Sequence, residues 1–225
     1  WGSPLYADHV PAQDEGVVAA VRRAGAIVVG KTNVPEFGAG ANTTNLVFGP
    51  TGNPFDPTRI CGGSSGGSAV AVATGMVPLA TGSDTGGSVR IPAAYCGVVG
   101  FRPSAVRIPS EKRALGWNPL PAFGPIARTV ADACLLLAAM VGHDLRDPLS
   151  HPVDPAAFLT PPLVDLARLK VVFSEDLGFA PVDHAIRELF RRRTGAFADA
   201  FAAALYRNPP MERANETFEI MRAVG

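Results

Sequence analysis

A chain of 225 residues with 20 basic and 20 acidic side chains carries no formal net charge, and no basic block is present to meet phosphates. This excludes the electrostatic footprint of a nucleic-acid or membrane-surface protein. With 47% hydrophobic residues there is ample material for a core, in one large domain or two small ones.

In chain order, residues 14–24 read as a short helix stopped by Gly25, and the apolar run 26–29 as a compact strand. Short strands are also expected at 79–81 and 98–101. Thr129-Val130-Ala131-Asp132 has the form of a helix-capping start, with an apolar helix running to Val141 and punctuated by Gly142. Residues 169–173 read as a buried-type strand. Residues 183–206 read as one long helix with Arg191 to Arg193 on its wet side, and 215–224 again looks helical. Strands alternating with helices predict an α/β fold, with a mixed, largely parallel central sheet flanked by helices. The Pro-rich stretch 102–125 reads as a covering loop and 148–162 as an exposed connection. The apolar runs 69–73 and 135–141 are too short to span a bilayer.

Three scattered cysteines make a disulfide framework a poor reading and favour a reducing, cytoplasmic setting. Cys134, inside an apolar helix, and Cys96, between Tyr95 and Gly97, read as packing residues. The four histidines, His9, His143, His151 and His184, show no ligand spacing, so a metal is not expected. Trp1 opens the chain without a basic region and apolar stretch of the signal-peptide kind. With no initiator Met and a stop directly after a helical segment, residues 1–225 read as a partial domain cut at both ends.

Two motif matches have weak contexts. Gly25 to Thr32 satisfies the G-x-x-x-x-G-K-[ST] pattern of a phosphate-binding loop, but its middle residues, Ala26 to Val29, look like the strand itself. Asn33-Val34-Pro35 then interrupts any following helix. Gly62-Gly63-Ser64-Ser65-Gly66 matches the G-x-S-x-G nucleophile elbow, but the stretch before it, 53–59, is Pro-rich and polar rather than an apolar strand.

The pair of glycine-serine clusters carries more. Cys61-Gly62-Gly63-Ser64-Ser65-Gly66-Gly67-Ser68 and Gly82-Ser83-Asp84-Thr85-Gly86-Gly87-Ser88-Val89-Arg90 combine potential nucleophiles with backbone that can approach a substrate closely. A serine hydroxyl needs a base to become a nucleophile, and without a well-placed histidine a Ser-Lys arrangement is the simpler solution. Thr85 to Ser88 also offer consecutive N–H groups suited to a developing oxyanion.

These blocks, with Gly30-Lys31-Thr32-Asn33-Val34-Pro35-Glu36-Phe37 before them and Gly124-Pro125-Ile126-Ala127-Arg128-Thr129-Val130-Ala131-Asp132 after, closely resemble the amidase signature family in order and spacing. The resemblance implies a Ser-cis-Ser-Lys triad in which Ser88 is the nucleophile and Ser64, following a cis peptide bond, is the bridging serine. Ser65, Thr85, Asp84 and Arg90 would support the network, and the N–H groups of Thr85, Gly86, Gly87 and Ser88 would form the oxyanion hole. It implies no cofactor and no metal. The expected partner is a small-molecule amide, with no direct contact to nucleic acid or membrane and with room for a homodimer.

The chain departs from the family pattern in its base. The family's catalytic lysine lies well upstream of the bridging serine, ahead of Trp1, so Lys31 is expected at the fold or rim instead. The C-terminal half that usually helps shape the acyl pocket is also missing from the pattern, and Cys61 stands where proline is common. The expected activity is hydrolysis of a carboxamide through an acyl-serine. The alternatives are the glutaminase subunit of a glutamyl-tRNA amidotransferase, a catalytically idle remnant, and a nucleotide binder using the apparent phosphate loop.

Overall fold

The computed structural model describes residues 1–224, which form two compact units, 1–161 and 162–224. In the first, α1 (Gly16–Arg23) buries Val17 and Val21. Two-residue strands β1 (Thr44–Asn45) and β2 (Gly49–Pro50) pair antiparallel. Next come α2 (Gly66–Ala73), β3 (Leu79–Asp84), α3 (Arg90–Cys96), β4 (Val99–Gly100), β5 (Ala122–Ala127) and α4 (Val130–Met140). The principal sheet has the order β3-β5-β4 and is antiparallel throughout.

Two apolar clusters hold this unit together. One joins α1 and α4 through Val17, Val21, Ile108, Leu136, Leu137 and Met140. The other packs Cys61, Ala69, Val72, Val89, Cys96 and Ile126 beneath the two serine clusters. Helix α4 starts as its sequence predicts: the Thr129 side chain accepts a hydrogen bond from the Asp132 N–H, capping an otherwise unpaired donor.

The second unit contains β6 (Lys170–Phe173), α5 (His184–Gly195), β7 (Ala203–Tyr206) and α6 (Ala214–Val224), with β6 and β7 parallel. Asp183 caps α5 by accepting from the Ala185 N–H. Phe173 gathers Phe190, Phe197, Phe201 and Tyr206 around it at centroid distances of 5.3–6.4 Å.

The mixed α/β class is as expected, but the largely parallel central sheet is corrected: its three strands are antiparallel throughout, and parallel pairing is confined to the separate β6–β7 pair. Several local expectations are corrected. Residues 26–29 form no strand; Ile27 and Val29 are 88% and 76% exposed, because an apolar run becomes a strand only beside a ladder partner and none lies there among the described residues. The helix expected over 183–206 ends at Gly195, and Ala203–Tyr206 joins a sheet instead. Strand β5 lies partly inside the expected covering loop. Gly124 and Pro125 disguise it, since both weaken a strand reading, yet it is the middle strand of its sheet. The connection 148–162 is mostly exposed as expected, with Val153 and Phe158 packed on the α1–α4 cluster. Cys134 is half-buried rather than core.

Candidate active site

The loop from Cys61 to Ser65 is wholly buried and leads directly into α2. Its Gly63–Ser64 peptide bond is cis. Glycine is required at 63 by close approach: a Cβ there would lie 2.9 Å from the backbone of Ala41 and Asn42. Thr43, 3% exposed, holds the loop from above. Its hydroxyl donates to the Gly62 carbonyl at 2.9 Å and accepts from the Gly66 N–H at 3.0 Å, with the Ser64 carbonyl at 3.3 Å.

Ser65 and Ser68 are structural ties. The Ser65 hydroxyl accepts from the Ser83 N–H at 3.2 Å and donates to the Ser83 carbonyl at 3.3 Å. Ser68 donates to the Thr81 carbonyl at 2.9 Å, so Thr32 is the donor in the 2.9 Å hydroxyl pair between them. Both serines pin α2 to β3. The Ser65 N–H donates to the Ser88 carbonyl at 3.2 Å, which brings the two serine clusters together. Among the described residues, neither the Ser64 nor the Ser88 hydroxyl has a hydrogen-bond partner. Ser64 is buried and Ser88 half-buried.

Asp84, at the end of β3, organises the second cluster. Its side chain is fully buried and accepts from the Gly87 N–H at 2.8 Å and the Val89 N–H at 3.2 Å. Arg90 grips it with both arms, Nε to Oδ2 at 3.0 Å and Nη2 to Oδ1 at 2.9 Å. Burial alone would push this carboxyl up, but the Arg90 hydrogen bonds, the two N–H groups and the Arg90 charge together hold it below the ordinary carboxylate value. The Arg90 guanidinium is raised in turn, chiefly by its hydrogen bond to Asp84.

This arrangement separates the four N–H groups expected to act as one set. That of Gly87 is spent on Asp84, and Gly87 itself sits at φ +118°, a backbone region open to glycine. Those of Thr85, Gly86 and Ser88 have no acceptor among the described residues.

Lys31 is exposed and makes no side-chain hydrogen bond among the described residues, and no helix follows it in the manner of a phosphate loop. Burial raises the Cys61 thiol, and burial next to Cys61 pushes Cys96 up to about 11, so both thiols stay protonated at neutral pH. Among the described residues no cluster of His, Cys, Asp and Glu is placed to hold a metal ion, and no helix is long and apolar enough to cross a membrane. Sequence reasoning missed Thr43. The only hint was its place in a short polar run, Asn42-Thr43-Thr44-Asn45, whose folded neighbours the sequence does not reveal.

Thr43→Val is the sharpest local test of this loop. It keeps the shape but leaves the Gly62 carbonyl and Gly66 N–H unpaired, and the expected loss is about 1–3 kcal/mol in urea unfolding. An unchanged unfolding midpoint would show that the hydroxyl does not hold the loop.

Solved structures with this architecture are amidase signature enzymes. A bacterial aryl acylamidase of that group superposes with a TM-score of 0.81 at 32% identity, over 96% of this chain and 45% of that one. A glutamyl-tRNA(Gln) amidotransferase subunit from Thermotoga maritima gives 0.83 at 31% identity, over 99% and 49%. This chain belongs to the amidase signature family, whose model, described as Amidase, matches residues 1–203. Curated relatives include the corresponding glutamyl-tRNA(Gln) amidotransferase subunit of Methanospirillum hungatei, 40% identical over 90% of this chain and 46% of the relative. That of Thermus thermophilus is 45% identical over 84% and 41%. The chain thus spans less than half the length of these relatives.

Proposed function

We propose that this chain carries the nucleophile and proton relay of an amidohydrolase that cleaves a carboxamide C–N bond through an acyl-serine intermediate. The observation that carries the reading is the Ser65–Ser88 backbone hydrogen bond, 3.2 Å long, which joins two loops whose Ser64 and Ser88 hydroxyls are free of protein partners among the described residues.

In the proposed cycle the Ser88 Oγ attacks the amide carbonyl carbon while its proton passes to the Ser64 Oγ. Ser64 passes its own proton to a neutral lysine, which the family resemblance places upstream of Trp1. The tetrahedral oxygen takes hydrogen bonds from the unspent N–H groups of Thr85, Gly86 and Ser88, each such donor being worth about 2.7–4 kcal/mol of transition-state stabilisation. Gly87 serves the turn rather than the oxygen, because its N–H already belongs to Asp84. The C–N bond then breaks as the proton held by the lysine returns through Ser64 to the leaving nitrogen. Water, giving its proton along the same relay, hydrolyses the acyl-serine and restores the Ser88 hydroxyl.

The substrate has two readings. The first is a simple carboxamide. The second is glutamine, with the chain acting as the glutaminase part of a glutamyl-tRNA amidotransferase; the names of the curated relatives and of the Thermotoga maritima structure support it. Ammonia release by the whole protein separates them. Turnover of several carboxamides without any partner supports the first. Glutamine turnover that depends on a co-purifying protein supports the second, and no release from either set leaves an idle site.

A further inference from the structure

The loop between β4 and β5 is tied down by two arginines that the proposed chemistry does not use. Arg113 is buried against Asp147, at 3.3 Å, and donates to the carbonyls of Asn118 and Pro121 at 2.9 and 2.8 Å. Arg102 donates through Nη2 to the Leu120 carbonyl at 2.7 Å and the Pro119 carbonyl at 3.3 Å. Its Nε lies 3.5 Å from Asp84 Oδ1 and is buried without a hydrogen-bond partner. Asp84 also pairs with Ala122 across β3 and β5, two residues beyond the Leu120 carbonyl that Arg102 holds.

We infer that Arg102 is a positioning residue for the Ser88 loop, holding Asp84 against the Gly87 and Val89 N–H groups while anchoring the loop around Leu120 to the same carboxylate. The inference rests on the acyl-serine reading of the site. Arg90 already matches Asp84 in charge and geometry, but 55% of its side chain faces solvent. Arg102 is only 24% exposed, so its charge is less screened and its alternatives fewer. Two guanidinium groups on one carboxylate also leave one positive charge uncompensated beside the N–H groups of Thr85 to Ser88. Such a charge favours a developing oxyanion more than a neutral ground state, so its removal acts on kcat more than on KM.

The test uses Arg102→Gln and Arg102→Lys in the whole protein, with two readouts. In Arg102→Gln, amide hydrogen exchange at Gly87 and Val89 is expected to rise about tenfold or more, and kcat to fall about ten- to a hundredfold with KM changed less than about threefold. Arg102→Lys restores part of kcat, because its charge reaches Asp84 while the fork to Leu120 and Pro119 is lost; it also serves if the Gln variant fails to fold. Unchanged exchange at Gly87 and Val89 overturns the inference whatever the activity does. So does raised exchange with unaltered kcat, or exchange raised equally along β3 and β5, which marks general destabilisation. The exchange arm does not depend on catalysis: if Ser88→Ala retains turnover, the acyl-serine reading fails, and the exchange at Gly87 and Val89 still decides whether Arg102 holds this loop.

Discussion

Ser88→Ala is expected to lower amide hydrolysis by the whole protein about ten-thousand-fold or more, while leaving its unfolding midpoint within the range of ordinary surface substitutions. The two halves of that expectation come from different atoms of the same residue. The structural role of Ser88 belongs to its carbonyl, which accepts from the Ser65 N–H and survives truncation to alanine. The chemical role belongs to the hydroxyl, which has no protein partner among the described residues and so contributes little to the fold. Activity and stability should therefore separate cleanly, as they would not for Ser65, whose hydroxyl ties two backbone groups of β3. The measurement is ammonia release beside urea unfolding of the same preparation. Retained turnover would refute the nucleophile assignment.

Asp84→Asn is expected to be the most destabilising of the substitutions in the site, at about 3–5 kcal/mol near neutral pH. The carboxylate is fully buried and accepts from the backbone N–H groups of Gly87, Val89 and Arg90 and from the Arg90 guanidinium, with Arg102 close by. An amide presents one NH2 where an acceptor is needed and removes the charge that holds the arginines. Arg90 can turn to solvent, but the Gly87 and Val89 N–H groups cannot, so most of the loss arises in the Ser88 loop itself.

The deficit should also depend on pH. Because the folded carboxyl lies below its unfolded value of about 3.9, its contribution is present above that value and disappears as pH falls through the lower folded one. Wild type and variant should therefore converge in stability only below about pH 4. A difference that stays constant from neutrality to well below about pH 4, without convergence, would show that the charge of Asp84 is not what stabilises the loop. In Arg90→Gln the Asp84→Asn penalty should shrink, since interacting neighbours are not additive.

The motif order was legible in the sequence because glycine and serine requirements are local. Gly63 and Gly87 are needed for close backbone approach and for a positive φ, and the Thr129 cap reads directly from its spacing to Asp132. The same locality explains what was misread. Strand β5 carries Gly124 and Pro125, which argue against a strand in isolation, and it forms because β3 and β4 supply partners on both sides. Residues 26–29 have the composition of a strand, and no partner lies beside them among the described residues. Gly195 ends α5 where apolar content alone suggested continuation.

By itself, the sequence determined the family, the two serine clusters and the mixed α/β class, because these rest on residue types at short, countable spacings. Tertiary structure alone decided which polar groups meet. The Thr43 hydroxyl clamps a loop about twenty residues away, and Arg102 reaches back to Asp84 across a sheet. The Gly87 N–H turns from a candidate oxyanion donor into a ligand of Asp84. A buried hydrogen bond depends on where desolvated donors and acceptors converge in space. Composition and spacing along the chain do not contain that information.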